Sequence, residues 1–430
     1  MISLVQRFSP YHDVLRVRPF RTLLIGQGLS MAGDAVCLAA LPVAMMRNGF
    51  GGGTLGSILA AVGIGTVFGA MVGGVLAERS PQRVLVATDA ARGMAQVVVA
   101  MLIVCGTPSW ALVVSYLVFG IGIGISRPCT QVLLTNLLPR NSLVAGNGTL
   151  SFVDNFVAVV FPATLGVLII LWDPVWGVLI DGITFFVAAA FTALLPDEGS
   201  PEPDDEFSIR RALNGVTVVA GNSELSVGFA ATVIMNVLCF PVFLVVAPYA
   251  VSDRFSDTMW GVCLAASGLG ACIGSVVTVL TSGHRHLTAL ALTCGLFLGT
   301  ALALLGLGTG AWMVVLGATF VGIVEASWLT GWATAMQTHS PEKDLGKVVA
   351  VDTLVTGGAH PFVYLGGGLI GQAVGYSHAL TIAAAVSAMG TAAVGMVAIW
   401  KRKRTIGIAV CSFRRTLAPR FAKTFYRPLG

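Results

Sequence analysis

One apolar segment is written twice in this chain, and any fold must accommodate both copies. Residues 56–69 read GSILAAVGIGTVFG and residues 261–274 read GVCLAASGLGACIG. Seven of the fourteen positions are identical: Gly56/Gly261, Leu59/Leu264, Ala60/Ala265, Ala61/Ala266, Gly63/Gly268, Gly65/Gly270 and Gly69/Gly274. A second echo, at an offset of 202, pairs Gly120 with Gly322, Pro139 with Pro341, Leu143 with Leu345 and Gly166 with Gly368. The two offsets, 205 and 202, agree within three residues, so the chain reads as one helical unit repeated in parallel.

Lipid is the environment that suits such segments. The chain is 56% hydrophobic and 10% charged, where a soluble domain carries about a quarter of charged residues. A helix needs roughly 20 apolar residues, rising about 1.5 Å each, to cross a bilayer core of about 30 Å. Twelve spans meet that measure, at 22–46, 54–77, 84–105, 110–137, 148–171, 175–195, 226–251, 259–281, 287–307, 312–336, 347–374 and 378–400. The first is followed at once by others, so it reads as a transmembrane helix and not a cleaved signal. The expected fold is therefore all-α and integral to the membrane, with twelve helices in two six-helix bundles related by a parallel repeat. The expected divisions are an N-terminus (1–21), a first bundle (22–195), a linker (196–225), a second bundle (226–400) and a basic tail (401–430). Six acids with Pro and Gly in 197–206 mark a solvated linker. Phe207 to Val219 has the pattern of an amphipathic helix lying along the surface.

Charge sets the orientation. With the N-terminus inside, 21 of the 25 Lys and Arg residues fall on the cytoplasmic side, which places both termini in the cytoplasm of a plasma (inner) membrane. The tail holds nine basic residues and no acid, interleaved with Phe413, Phe421, Phe425 and Tyr426. Tethered beside a bilayer, it is expected to contact anionic lipid, not nucleic acid. The eight cysteines are scattered without a C-x-x-C pair, so neither a disulfide framework nor a metal site is expected. No P-loop, G-x-S-x-G or H-E-x-x-H occurs, so no enzyme activity or cofactor is expected.

The loop between spans 2 and 3 runs Gly74-Val-Leu-Ala-Glu78-Arg79-Ser-Pro-Gln-Arg83, and the next helix contains Thr-Asp89-Ala-Ala-Arg92. The first segment resembles the cytoplasmic signature G-x-x-x-D-R-x-x-R-R of the major facilitator superfamily, with Glu78 in place of the Asp. The second resembles the D-x-x-R of that family's enterobactin-exporter and macrolide-efflux branch. Gly26-Gln27, Ser30 and Gly33-Asp34 in span 1, Leu-Leu-Pro139 after span 4, and Leu179-Ile180-Asp181-x-x-Thr184-Phe185 in span 6 are similar to the same branch. The resemblance covers residues 20–400. It implies a monomeric secondary transporter, with proton-coupled efflux of a small amphipathic antibiotic, drug or siderophore by alternating access. Two alternatives stay open: a facilitator or uptake carrier for a nutrient, and a non-transporting membrane sensor or scaffold.

Physical chemistry nominates residues within that frame. Gly74 permits close helix approach. Asp89 and Arg92, three apart, share a helical face and can pair. Together with Glu78, Arg79 and Arg83 they form either a cytoplasmic gate latch that exchanges charge partners or a static surface cluster. Charges embedded in lipid are expensive and therefore functional candidates. Asp34, Glu325 and Asp181 are nominated as proton carriers. Arg127 and Asp154 are expected to form a buried ion pair. His360, before Pro361 in span 11, reads as a packed or water-bonded residue before a proton role. Phe152, Asn155, Phe156, Asn236, Phe240, Phe243, Trp328 and Trp332 are available to line an apolar substrate cavity with a few polar groups.

Overall fold

The computed structural model describes residues 12–139, 142–161, 164, 171–196, 216–280, 287–340 and 345–399. Helices account for nearly all of them. The first bundle holds α1 (Arg18–Arg47), α2 (Gly52–Arg79), α3 (Pro81–Val104), α4 (Ser109–Leu137), α5 (Leu143–Phe161) and α6 (Val175–Ala193). The second holds α7 (Ser223–Arg254), α8 (Asp257–Leu280), α9 (Leu287–Leu307), α10 (Ala311–His339), α11 (Leu345–Val374) and α12 (Tyr376–Ile399). Eleven of these are long and apolar enough to cross a bilayer. The other is α5, whose continuation through 165–170 lies outside the described residues.

Successive helices run antiparallel, so the ends fall on two faces. We call terminal the face with Arg18, the α2–α3 turn at Ser80 and the end of α12. The far face carries the α1–α2, α7–α8 and α11–α12 turns. Local chemistry sets the boundaries. Pro81 opens α3, where its missing N–H costs no helical bond. Asn222 caps α7 by accepting from the amides of Glu224 (2.9 Å) and Leu225 (3.2 Å). Gly375 adopts φ +92° between α11 and α12, a left-handed conformation open to glycine, and the two-helix turn depends on it. Trp110, Trp172, Trp176 and Trp312 lie exposed at far-face helix ends, where amphipathic rings suit a membrane interface.

The repeat written in the sequence is a packing unit. A side chain on Gly65 or Gly69 of α2 would strike the carbonyls of Leu117 and Ile121 on α4. One on Gly270 or Gly274 of α8 would strike those of Thr319 and Ile323 on α10. Gly120 and Gly322 return the contact against the carbonyls of Val62 and Ser267. Small residues let both helix pairs approach backbone to backbone, which is what holds helices together in lipid. The second offset of 202 separates Leu117 from Thr319 and Ile121 from Ile323.

Candidate functional site

The two bundles are sealed against each other at the far face. Arg47 at the end of α1 donates to Asp257 at the start of α8 (2.7 Å). The amide of Gly52 donates to the Tyr376 hydroxyl (2.9 Å), and the Tyr249 hydroxyl donates to the carbonyl of Phe50 (3.1 Å). The Tyr249 and Tyr376 rings stack with centroids 4.8 Å apart. Gln372 and Tyr376 occupy the space that side chains at positions 51–53 would need, so Gly51-Gly52-Gly53 is a docking strip. The α2–α11 contact continues inward through Gly56 against Tyr364 and Gly63 against Pro361.

It then ends. No residue from 51 to 63 is exposed, whereas Ile64, Val67, Phe68, Ala70, Met71, Val72 and Gly74 are. Gly74 continues the stripe of Gly63 on α2, and Gly357 continues that of Pro361 on α11. A side chain on either would meet nothing within 4 Å. The bundles therefore diverge toward the terminal face, leaving a cleft. The expectation that Gly74 supports close helix approach is not met in this conformation, where a side chain there would meet nothing within 4 Å.

On the first-bundle side of the seam, Asp34 of α1 lies about 20 Å from the far end of its helix. Its side chain is 42% exposed, and Arg92 of α3 reaches it at 3.2 Å. Arg92 is itself buried, with its guanidinium 3.8 Å over the Phe185 ring and 4.8 Å from that of Phe119. Asp89 stands 3.8 Å from the other side of the same guanidinium, 1% exposed. This corrects the expected gate. Asp89 and Arg92 do pair, but about 12 and 17 Å along α3 from Pro81, too deep to share charge with the loop. Arg79 and Arg83 stay exposed at the terminal face, and the Glu78 side chain is outside the described residues. Asp181, fully buried on α6, accepts a hydrogen bond from the Gln96 amide, and Gly33 packs directly against it and Thr184. Two carboxyls, Asp34 and Asp89, thus share one guanidinium, and Asp181 is buried nearby against Gln96.

The second bundle is built differently. Glu325 sits about 21 Å from both ends of α10. It is half-buried, with no ion pair or hydrogen bond among the described residues, and Tyr364 of α11 is close enough to feel its charge. His360, one turn before Tyr364, lies tilted against that ring at 5.7 Å and donates from Nε2 to the carbonyl of Asn236 (2.8 Å). That carbonyl lies in Val233–Cys239, a π-helical stretch inside α7. Such widened turns leave carbonyls free and recur at functional sites.

Several expected cavity residues belong elsewhere. Trp328 and Trp332 are buried, at 0% and 3% exposure. Their parallel rings stack 6.0 Å apart, Trp328 donates to Thr232 (3.2 Å) and Trp332 to Asp352 (2.9 Å). Gly228 makes room for the Trp332 ring, so these indoles tie α10 to α7 and α11 inside the bundle. Phe243 is likewise core, tilted on Trp260. Phe240 and Asn236 are half-buried, while Phe152 and Phe156 stack at 6.2 Å on the open side of α5. The Asn155 side chain lies outside the described residues. Arg127 and Asp154 are not the expected buried pair. Both are exposed, and no ion pair within 4 Å joins them among the described residues; Arg127 acts on Asp154 through space only. Exposure removes the penalty that would have forced them together. Tyr364, Asp352 and Gln96 were not singled out in the sequence; a Tyr or Gln within an apolar span gives no period-based signal. Most of the linker, including 207–215, and the tail lie outside the described residues.

A model of the Major Facilitator Superfamily matches residues 23–351. No curated protein matches the chain. Among solved structures, the nucleoside transporter NupG superposes with TM-score 0.71 at 13% identity, covering 88% of this chain and 99% of that one. A POT family transporter in complex with a thioalcohol conjugated peptide gives 0.67 at 14% identity, covering 90% and 96%. A bacterial homologue of the iron transporter ferroportin in an inward-facing state gives 0.64 at 17%, covering 89% and 99%. At these identities the likeness is one of fold.

Proposed function

This chain belongs to the Major Facilitator Superfamily, and from that premise we propose that it is a proton-coupled exporter of a small amphipathic compound. The observation that carries the reading is the placement of Asp34 and Glu325. Each bundle contributes one carboxyl at mid-depth, neither is fully buried, and both lie at about the depth where the α2–α11 contact ends. A carboxyl in such a position can take a proton or meet a cargo, and which it does depends on the side it faces. Export follows if proton and compound bind the two orientations with different affinity, since only a differential interaction shifts such an equilibrium.

In this reading the terminal face is cytoplasmic, as the distribution of Lys and Arg indicates, and the conformation described is open to the cytoplasm. Cargo enters the cleft beside Phe152, Phe156 and Phe240. Rocking breaks the far-face seal and closes the terminal end, where Gly74 and Gly357 meet. Protons then enter from the far face and drive the return. Resemblance to the enterobactin-exporter and macrolide-efflux branch supports an amphipathic antibiotic or siderophore as cargo, with the chain acting as a monomer and its tail against anionic lipid.

The test uses liposomes containing the protein and an entrapped pH dye, challenged with a macrolide, a catechol siderophore and ethidium. The proposal expects one of them to move against a counter-flow of protons, and an Asp34→Asn, Glu325→Gln double variant to lose that flux. Flux indifferent to the pH gradient would eliminate proton coupling. Flux undiminished in the double variant would remove those two carboxyls from the mechanism.

A further inference from the structure

Behind the Asp34–Arg92 pair, on its far-face side, three buried polar atoms from three helices lack partners. They are Asp181 Oδ1 on α6, Gln96 Oε1 on α3 and Tyr116 Oη on α4, none with a nitrogen or oxygen partner among the described residues. Their side chains are 0%, 1% and 3% exposed. Cys37 of α1 lies beside all three. The Gln96 amide donates to its sulfur (3.5 Å) and to Asp181 Oδ2, and the Tyr116 hydroxyl and the Asp181 carboxyl both lie against the thiol.

Burying an unpaired carboxyl oxygen, amide oxygen and hydroxyl together costs several kcal/mol at about 1–3 each. Such groups in proteins are ordinarily satisfied by internal water, which needs two to four polar partners in a space about one molecule wide. This site offers three partners of mixed character. The Tyr116 hydroxyl can donate or accept, and the two oxygens accept. A water placed among them satisfies all three, while the thiol, a weak partner, cannot.

We propose that the space among Asp181, Gln96, Tyr116 and Cys37 holds one or more ordered water molecules, and that this pocket is a proton relay extending from Asp34 toward the far face. Cys37 is one turn beyond Asp34 toward that face, Gln96 one turn beyond Arg92, and Tyr116 about 10 Å from the far end of α4. The pocket therefore lies between the cleft-exposed carboxyl and the sealed side. A proton arriving at one oxygen of the chain displaces one from the next, so each group ends with the protons it began with. The path role rests on the proton-coupled reading above. The water site does not.

Two measurements separate them. A high-resolution density map of the full-length protein in lipid nanodiscs decides the site. Water density within hydrogen-bonding distance of Asp181, Gln96 and Tyr116 supports it. A dry pocket, or direct pairing of the three groups with one another, overturns it. For the path, a downward pH step is applied to the same nanodiscs in weak buffer, and proton uptake is followed with a dye. The unsubstituted protein should show a fast phase from the cleft and a slower one through the pocket. Tyr116→Phe and Asp181→Asn, both close in shape to the originals, should abolish the slow phase and leave the fast one. Superimposable time courses in all three proteins would overturn the path. No uptake by the unsubstituted protein would overturn the path together with proton coupling, while the density map would still decide the water.

Discussion

The two bundles carry the same helix-packing device and opposite electrostatics. Gly65, Gly69 and Gly120 in the first, and Gly270, Gly274 and Gly322 in the second, bring equivalent helices to backbone contact. Yet the first bundle pairs Asp34 and Asp89 with Arg92 and buries Asp181 nearby against Gln96. The second leaves Glu325 without a cation among the described residues, while Ile123 is its counterpart at the repeat offset. Duplication preserves what every helix pair in lipid needs, which is close approach. What differs between the copies is what rigid packing does not require.

That contrast can be broken by removing charges one at a time. The largest effect is expected from Arg92→Met. It would leave Asp34 and Asp89 without their shared cation, and losing one partner of a buried pair costs about 3–5 kcal/mol. A much lower melting temperature in detergent would register it, and adding Asp34→Asn should recover part of the loss because the two sites are coupled. Trp332→Phe should come next, at about 1–3 kcal/mol, since the Asp352 carboxylate loses its 2.9 Å donor. Tyr376→Phe removes one hydrogen bond from the far-face seal, worth about 0.5–1.5 kcal/mol. It should shift the balance between the two cleft orientations several-fold, read as a change in spin-label distances across α2 and α11. Glu325→Gln should be the mildest for stability, within about 0.5 kcal/mol, because no partner is lost. A drop as large as that of Arg92→Met would mean that Glu325 is paired after all and that the asymmetry is false.

Much of the fold was legible because lipid imposes a length. Span 10, expected at 312–336, is Ala311–His339, and span 3, expected at 84–105, is Pro81–Val104. The duplicated glycines announced a repeat, and the structure shows that they bring α2 against α4 and α8 against α10. The site was legible only in part. Asp34 stood out as an embedded charge and Arg92 as a partner for Asp89, but the Asp34–Arg92 pair spans 58 residues and depends on how α1 and α3 face each other. The seal is written in Gly51-Gly52-Gly53, which reads locally as a flexible turn. Its purpose appears only when Gln372 and Tyr376, more than 300 residues away, fill the space. Trp328 and Trp332 could not be placed by pattern, since an aromatic stripe in an apolar helix serves a core or a cavity equally well. The π-helical stretch V-I-M-N-V-L-C contains neither Gly nor Pro to mark it.

The central claim is that two carboxyls, one per bundle, carry the protons that drive transport. The most direct measurement is the proton flux released when a transported compound is added to liposomes holding each variant at matched protein density. Asp34→Asn and Glu325→Gln should each reduce proton flux at least tenfold, and the double variant should reach the protein-free baseline. Proton flux in the double variant equal to that of the unsubstituted protein would contradict the claim.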